Sequence, residues 1–111
     1  MKLLFAIVQN EDAKKLIRSL NAAGLMVTRI STTGGFLQGG NTTVMMGLDE
    51  ERIDDALEII KKEAKTRKEH TVAPQAAIPG YSYTYTGSTP LQITVGGAVV
   101  FIVDVWRYEQ F

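Results

Sequence analysis

Six successive residues near the amino terminus, Leu3–Val8, carry no polar side chain, and the run ends at polar Gln9-Asn10. A run of this length and purity predicts a strand covered on both faces. Such a strand needs sheet neighbours on either side and a layer on each face, which rules out an isolated hairpin or an all-helical chain. A helix is predicted next. Ala13, Leu16, Ile17 and Leu20 recur at helical spacing, Lys14, Lys15 and Arg18 fall on other faces, and Gly24 supplies the stop. Asn10 or Asp12 is placed to cap it, with Glu11 and Asp12 at the positive end of its dipole.

Met26–Ser31 alternates as a second strand, with Met26, Thr28 and Ile30 on one face and Val27, Arg29 and Ser31 on the other. A loop with two glycine pairs, Gly34-Gly35 and Gly39-Gly40, then leads to a strand over Thr42–Leu48. Between the pairs sit Phe36 and Leu37, large apolar residues on a backbone that glycine lets approach a ligand closely. Packing of the loop's own hydrophobes explains the same residues equally well. Gly47, near the end of its strand, marks a bulge or a close approach by another group.

Asp49 opens a second helix, acidic at its start and basic at Lys61, Lys62 and Lys65, with Ile53, Ala56, Leu57, Ile60 and Ala64 as its core stripe. The carboxylates Asp54, Asp55 and Glu58 lie off that stripe and read as a solvated face. Residues 68–90 form an expected long loop holding all three prolines, with Tyr81, Tyr83 and Tyr85 alternating with small polar residues. Leu91–Val95, Gly96-Gly97 and Ala98–Val105 read as strand, turn, strand. The tail from Trp106 to Phe111 is too aromatic for a frayed end and should dock on its own domain or on a neighbour. The reading is therefore α+β: a ferredoxin-like βαββαβ sandwich with an additional late β-hairpin, in a single domain over residues 1–111.

Several chemistries are excluded. The chain has no cysteine, so thiolate metal sites and disulfides find no residues; its one histidine, His70, reads as a loop residue, and no Ser or Thr has a histidine partner signalled nearby. Lysine plus arginine equal aspartate plus glutamate at 12 each, which gives no basic footprint for a nucleic-acid polymer. The apolar amino terminus is too short to span a membrane, and a cytoplasmic protein without membrane insertion is expected. A phosphate-binding P-loop needs Gly-Lys-Ser/Thr between strand and helix, whereas this glycine loop joins two strands and has no lysine. What remains is a pocket that senses and does not react. Phe36 can stack on a base, Asn41 can read a base edge through its paired donor and acceptor, and Thr28 adds a hydroxyl.

These residues resemble the PII-like cyclic-di-AMP receptor family of Gram-positive bacteria, relatives in fold of the PII nitrogen regulators. The likeness rests on Met1-Lys2-Leu3 and Val8-Gln9, on Ser31-Thr32-Thr33-Gly34-Gly35-Phe36-Leu37 with Gly40-Asn41-Thr42-Thr43, on Asp49–Asp55, and on Val95-Gly96-Gly97-Ala98, Val100-Phe101 and Glu109-Gln110-Phe111. It implies a PII-like fold and a cytosolic homotrimer that binds cyclic-di-AMP in clefts between subunits. It implies no catalysis, no cofactor, no metal, and an unnamed downstream protein partner. Carried over, the ligand contacts are Asn10, Thr28, Gly35, Phe36, Leu37, Asn41, Gly47, Phe101 and Gln110. Gly35, Phe36 and Leu37 would face one purine, while Asn41, Thr28 and the Gly47 backbone would bond the edge of the second. The family often carries an arginine two residues before Thr28; here the residue is Met26, whose thioether cannot donate to a phosphate. Two other readings remain: a trimeric interaction or scaffold protein with a weakened nucleotide pocket, and an ATP-responsive PII regulator.

Overall fold

The computed structural model describes residues 1–31, 40–72 and 90–111. They fall into two compact units, Met1–Lys65 with Gly96–Phe111, and Thr66–Val95. The first unit contains β1 (Lys2–Gln9), α1 (Asn10–Ala22), β2 (Thr28–Ser31), β3 (Asn41–Leu48), a single 3-10 turn over Glu50–Arg52, α2 (Ile53–Ala64) and, later in the chain, β6 (Ala98–Asp104). Its four strands make an antiparallel sheet in the order β2-β3-β1-β6. Two helices with an antiparallel sheet in this order are compatible with a ferredoxin-like fold. The second unit contains β4 (Arg67–Val72) and β5 (Pro90–Val95), an antiparallel pair.

Directly opposed residues of antiparallel strands project to the same side, so the register assigns the two faces of the sheet. Leu4, Ala6 and Val8 of β1 share one face with Val44, Met46 and Leu48 of β3, and all six are buried. The cover comes from Ala13, Leu16 and Leu20 of α1 and Ala56, Ile60 and Ala64 of α2, which join the same core cluster. The expected stripes on both helices are therefore found, with Ile17, Ile53 and Leu57 half-buried at their edges. Ser19 Oγ donates to Glu63 Oε2 across the two helices at 2.6 Å. Arg52 Nη2 donates to the Ala23 carbonyl at 2.9 Å, satisfying an acceptor beyond the end of α1.

The opposite face is different. Leu3, Phe5 and Ile7 are only half-buried, and on β6 Phe101 and Val103 are exposed at 46% and 45%. The apolar run calls for cover on both faces of β1, and among the described residues cover is found on one.

Four local expectations change. The strand after the glycine pair does not fold back on β5: β5 pairs with β4, and β6 pairs with β1. Gly96 and Gly97, at φ +84° and +102°, lead the chain from one sheet to the other. Their amides are anchored, Gly96 N–H to Gln9 Oε1 at 2.7 Å and Gly97 N–H to the Ala64 carbonyl at 2.5 Å. The late two-stranded element is therefore built from 67–72 and 90–95, so the expected long loop begins as a strand. Second, α1 starts at Asn10 itself, and its N-cap, Gln9, makes no side-chain cap hydrogen bond. Third, β2 is shorter than Met26–Ser31, starting at Thr28. Fourth, only part of the tail docks on its own unit: Tyr108 lines a hollow with Met1 and Leu3, whereas Trp106 is 90% exposed and Phe111 fully so. Tyr81, Tyr83 and Tyr85 lie outside the described residues.

Candidate functional site

Of the nine site residues named from sequence, four, Thr28, Asn41, Gly47 and Phe101, lie on the open face of the sheet. Thr28 pairs with Met45, Met45 with Phe5, and Phe5 with Phe101, so these four form one row across all four strands. Asn41 and Gly47 share that face through register with Gln9 and Leu3. Gly35, Phe36 and Leu37 lie outside the described residues.

At one end of the face, Asn10 leaves β1 as the first residue of α1 and meets the start of β3. Its amide N–H donates to the Gly40 carbonyl at 2.9 Å, and its Oδ1 accepts from the Thr42 hydroxyl at 2.5 Å. Asn10 thus ties the helix start to β3 in place of capping the helix. A Cβ at Gly40 would meet the Asn10 side-chain amide, so a larger residue there would displace that amide. Beside them Asn41 is 6% exposed.

At the other end lies an open hollow of about 460 Å³, lined by Met1, Leu3, Met26, Met45, Gly47 and Tyr108 among others. Three thioethers and a phenol ring make it apolar. Tyr108 carries the tail to its rim, and the Tyr108 hydroxyl donates to Gln110 Oε1 at 3.1 Å. That bond ties Gln110 to a residue that lines the hollow. Met1, Leu3, Met45 and Tyr108 were missed by sequence reasoning. Alternation alone places Met45 and Leu3 with Gly47, but nothing local brings the two chain termini to β3.

Electrostatics separate the two faces. The strand residues of the open face, from Leu3 to Gln9 on β1, Asn41 to Gly47 on β3, Thr28 and Ile30 on β2, and Val99 to Val103 on β6, include no charged side chain. Lys2, though next to Met1, is in register with Leu48 and Asp104 and so belongs to the other face. There it holds Asp104, and Glu50 at 3.5 Å. The Asp104 hydrogen bond is the main cause of a raised Lys2 pKa, and the Lys2 hydrogen bond the main cause of a lowered Asp104 pKa. Arg29 is in register with Val44, also on the helix-covered side. Arg107 on the tail pairs with Glu109 at 2.8 Å. Among the described residues no group of three or more His, Cys, Asp or Glu is placed to hold a metal ion, and no helix is long and apolar enough to cross a membrane.

The sheet with one open, uncharged face, bearing an amide corner at one end and an apolar hollow at the other, defines a small α/β domain suited to holding a ligand. Over residues 1–111 the chain matches the model of the cyclic-di-AMP receptor family, and it belongs to that family. A solved structure of a protein from Pediococcus pentosaceus, described as functionally unknown, is 42% identical with a TM-score of 0.79, covering 99% of this chain and 96% of that one.

Proposed function

We propose that the chain is a cytoplasmic signal-transduction receptor for cyclic-di-AMP, PII-like in fold, acting as a homotrimer with one ligand in each cleft between subunits. The observation that carries this reading is the family match over the whole chain. The layout of the open face supports the intersubunit cleft. Asn41 and Gly47 stand six residues apart on one strand, about 20 Å at the usual strand rise. A compact cyclic dinucleotide touching both would need contributions from two chains. The exposed tail supports it too, since Trp106 and Phe111 have no cover within their own unit. Recognition uses stacking on Phe36 and Leu37 and hydrogen bonds from Asn10, Thr28, Asn41, Gly47 and Gln110, with Phe101 on the same face. No residue set for catalysis is proposed. Binding changes the surface offered to a downstream protein.

Thermal denaturation and calorimetry with cyclic-di-AMP, cyclic-di-GMP, ATP and AMP test the reading. Cyclic-di-AMP at a hundredfold excess over Kd is expected to add about 2.7 kcal/mol of stability. ATP and AMP are expected to leave the transition where it is. No response to millimolar cyclic-di-AMP overturns the receptor reading, and a shift with ATP alone replaces it by an ATP-responsive regulator.

A further inference from the structure

Resting on the receptor reading, we infer that Gln9 is a positioning residue that links the Asn41 end of the open face to the Gly96-Gly97 turn, so that a ligand held at Asn41 secures that turn. The last residue of β1 and the first of α1 each hold a backbone that returns from elsewhere in the chain. Asn10 holds the start of β3, through its N–H to the Gly40 carbonyl at 2.9 Å and its Oδ1 to the Thr42 hydroxyl at 2.5 Å. Gln9 holds the approach to β6, its Oε1 accepting from the Gly96 N–H at 2.7 Å. Gln9 also lies directly opposite Asn41 in the β1–β3 register, on the open face. Such pairs bring their Cβ atoms to about 4.5–5.5 Å of each other. A single side chain therefore stands between a proposed ligand contact and the turn through which the chain re-enters the first unit.

Gly96 and Gly97 are both buried, so each N–H needs an acceptor. The two acceptors differ in kind. Gly97 N–H uses the Ala64 carbonyl, a backbone group fixed at the end of α2. Gly96 N–H uses a side-chain carboxamide on several rotatable bonds, and ordering such a side chain costs conformational entropy. A backbone N–H only donates, so the Gln9 atom beside it is the oxygen, and the amide NH₂ is turned away from Gly96. The Ala64 carbonyl releases its donor only if the helix end moves, whereas Gln9 releases Gly96 by bond rotation alone. A ligand that orders Asn41 restricts the rotations left to Gln9, and a Gln9 already ordered holds Gly96 at a smaller entropic cost. Linkage makes the effect reciprocal: removing the Gln9 acceptor weakens the ligand by the factor with which the ligand secures Gly96.

Amide hydrogen exchange at Gly96, followed by NMR with and without saturating cyclic-di-AMP, tests the inference together with calorimetry on the wild type, Gln9→Leu and Gln9→Glu. Gln9→Leu keeps the bulk and removes the acceptor, while Gln9→Glu keeps an acceptor oxygen at the same reach. In the wild type the ligand is expected to slow Gly96 exchange about three- to tenfold. In Gln9→Leu, Gly96 should exchange faster without ligand, the ligand should no longer slow it, and Kd should rise by about the same three- to tenfold. Gln9→Glu should retain the slowing by ligand. Wild-type exchange that ignores the ligand overturns the inference and leaves the receptor reading standing, because Gln9 would then serve the fold alone. Equal slowing in Gln9→Leu, a Gln9→Leu Kd within about twofold of wild type, or loss of the slowing in Gln9→Glu at saturation does the same. Where Gln9→Leu fails to fold, the wild-type and Gln9→Glu results decide by these criteria. Absence of binding by the wild type overturns both readings.

Discussion

Two glycines on β3 and its approach separate positions that shape the site from positions that a ligand would occupy. Gly40 lacks a side chain because Asn10 fills the space a Cβ would take. Gly40→Ala is expected to push the Asn10 amide off the Thr42 hydroxyl, losing one neutral hydrogen bond at a part-buried site. The stability loss is about 0.5–1.5 kcal/mol, read by urea denaturation, and Asn10→Ala should reproduce it. The double variant should cost no more than either single one, because both remove the same interaction. Gly47 presents the opposite case. A Cβ there meets only Met1 Sδ, at an ordinary 3.7 Å, and Gly47 is not among the described glycines with positive φ. Gly47→Ala should therefore leave the melting temperature within about a degree of wild type while lowering cyclic-di-AMP affinity, since the new methyl narrows the hollow. A clear loss of stability would mean that Gly47 is kept for the fold and not for a ligand.

At the scale of elements, Lys2 on β1 and Asp104 on β6 close one end of the sheet across two paired strands, and their titration sets where that clasp acts. The lowered Asp104 pKa contributes stability above the ordinary carboxylate range, lost as pH falls through the folded-state value. The raised Lys2 pKa contributes stability below the ordinary lysine range, lost as pH rises through its folded-state value. The clasp is thus complete across the neutral range. Asp104 is largely exposed, so Asp104→Asn should cost little at pH 7 and low salt. That cost should shrink in 1 M salt and vanish as pH drops below the carboxylate range. The helices were legible in the sequence because Ala13, Leu16 and Leu20, and Ala56, Ile60 and Ala64, each repeat at the helical period, a purely local signal. The pairing of β5 was not, because Gly96-Gly97 announces a change of direction without saying which strand receives it. Nor was β4, whose Arg67-Lys68-Glu69-His70 start shows no apolar alternation. The candidate site divides the same way. Alternation puts Thr28 with Ile30 and Asn41 with Gly47, whereas the Asn10–Thr42 contact spans 32 residues and the hollow joins both termini to β3.

For the whole molecule, the physical question is what covers the second face of β1. Leu3, Phe5 and Ile7 alternate with fully buried residues of the same strand, and in the single chain they stay half-exposed beside Phe101 and Val103. An apolar sheet face of this kind favours association. Copies of the same chain are the partner under the proposed homotrimer, which would also bring the Asn41 end of one sheet to the Gly47 end of another. Val103 is the informative position: it is 45% exposed in one chain, is in register with Leu3, and is not one of the proposed ligand contacts. Val103→Glu should leave the helix-covered core intact, with an unchanged far-ultraviolet spectrum. In an assembled interface the same carboxylate would be buried without a partner, at a cost of several kcal/mol. Sedimentation should therefore give a trimer for the wild type and a monomer for Val103→Glu, and the melting temperature should depend on concentration only for the former. Cyclic-di-AMP binding should disappear together with the trimer, because the proposed cleft would need two chains to bring both ends of the face to one ligand. A Val103→Glu protein that remains trimeric would place the interface elsewhere and leave the open face to another partner; one that is monomeric yet binds with wild-type affinity would confine the site to a single chain.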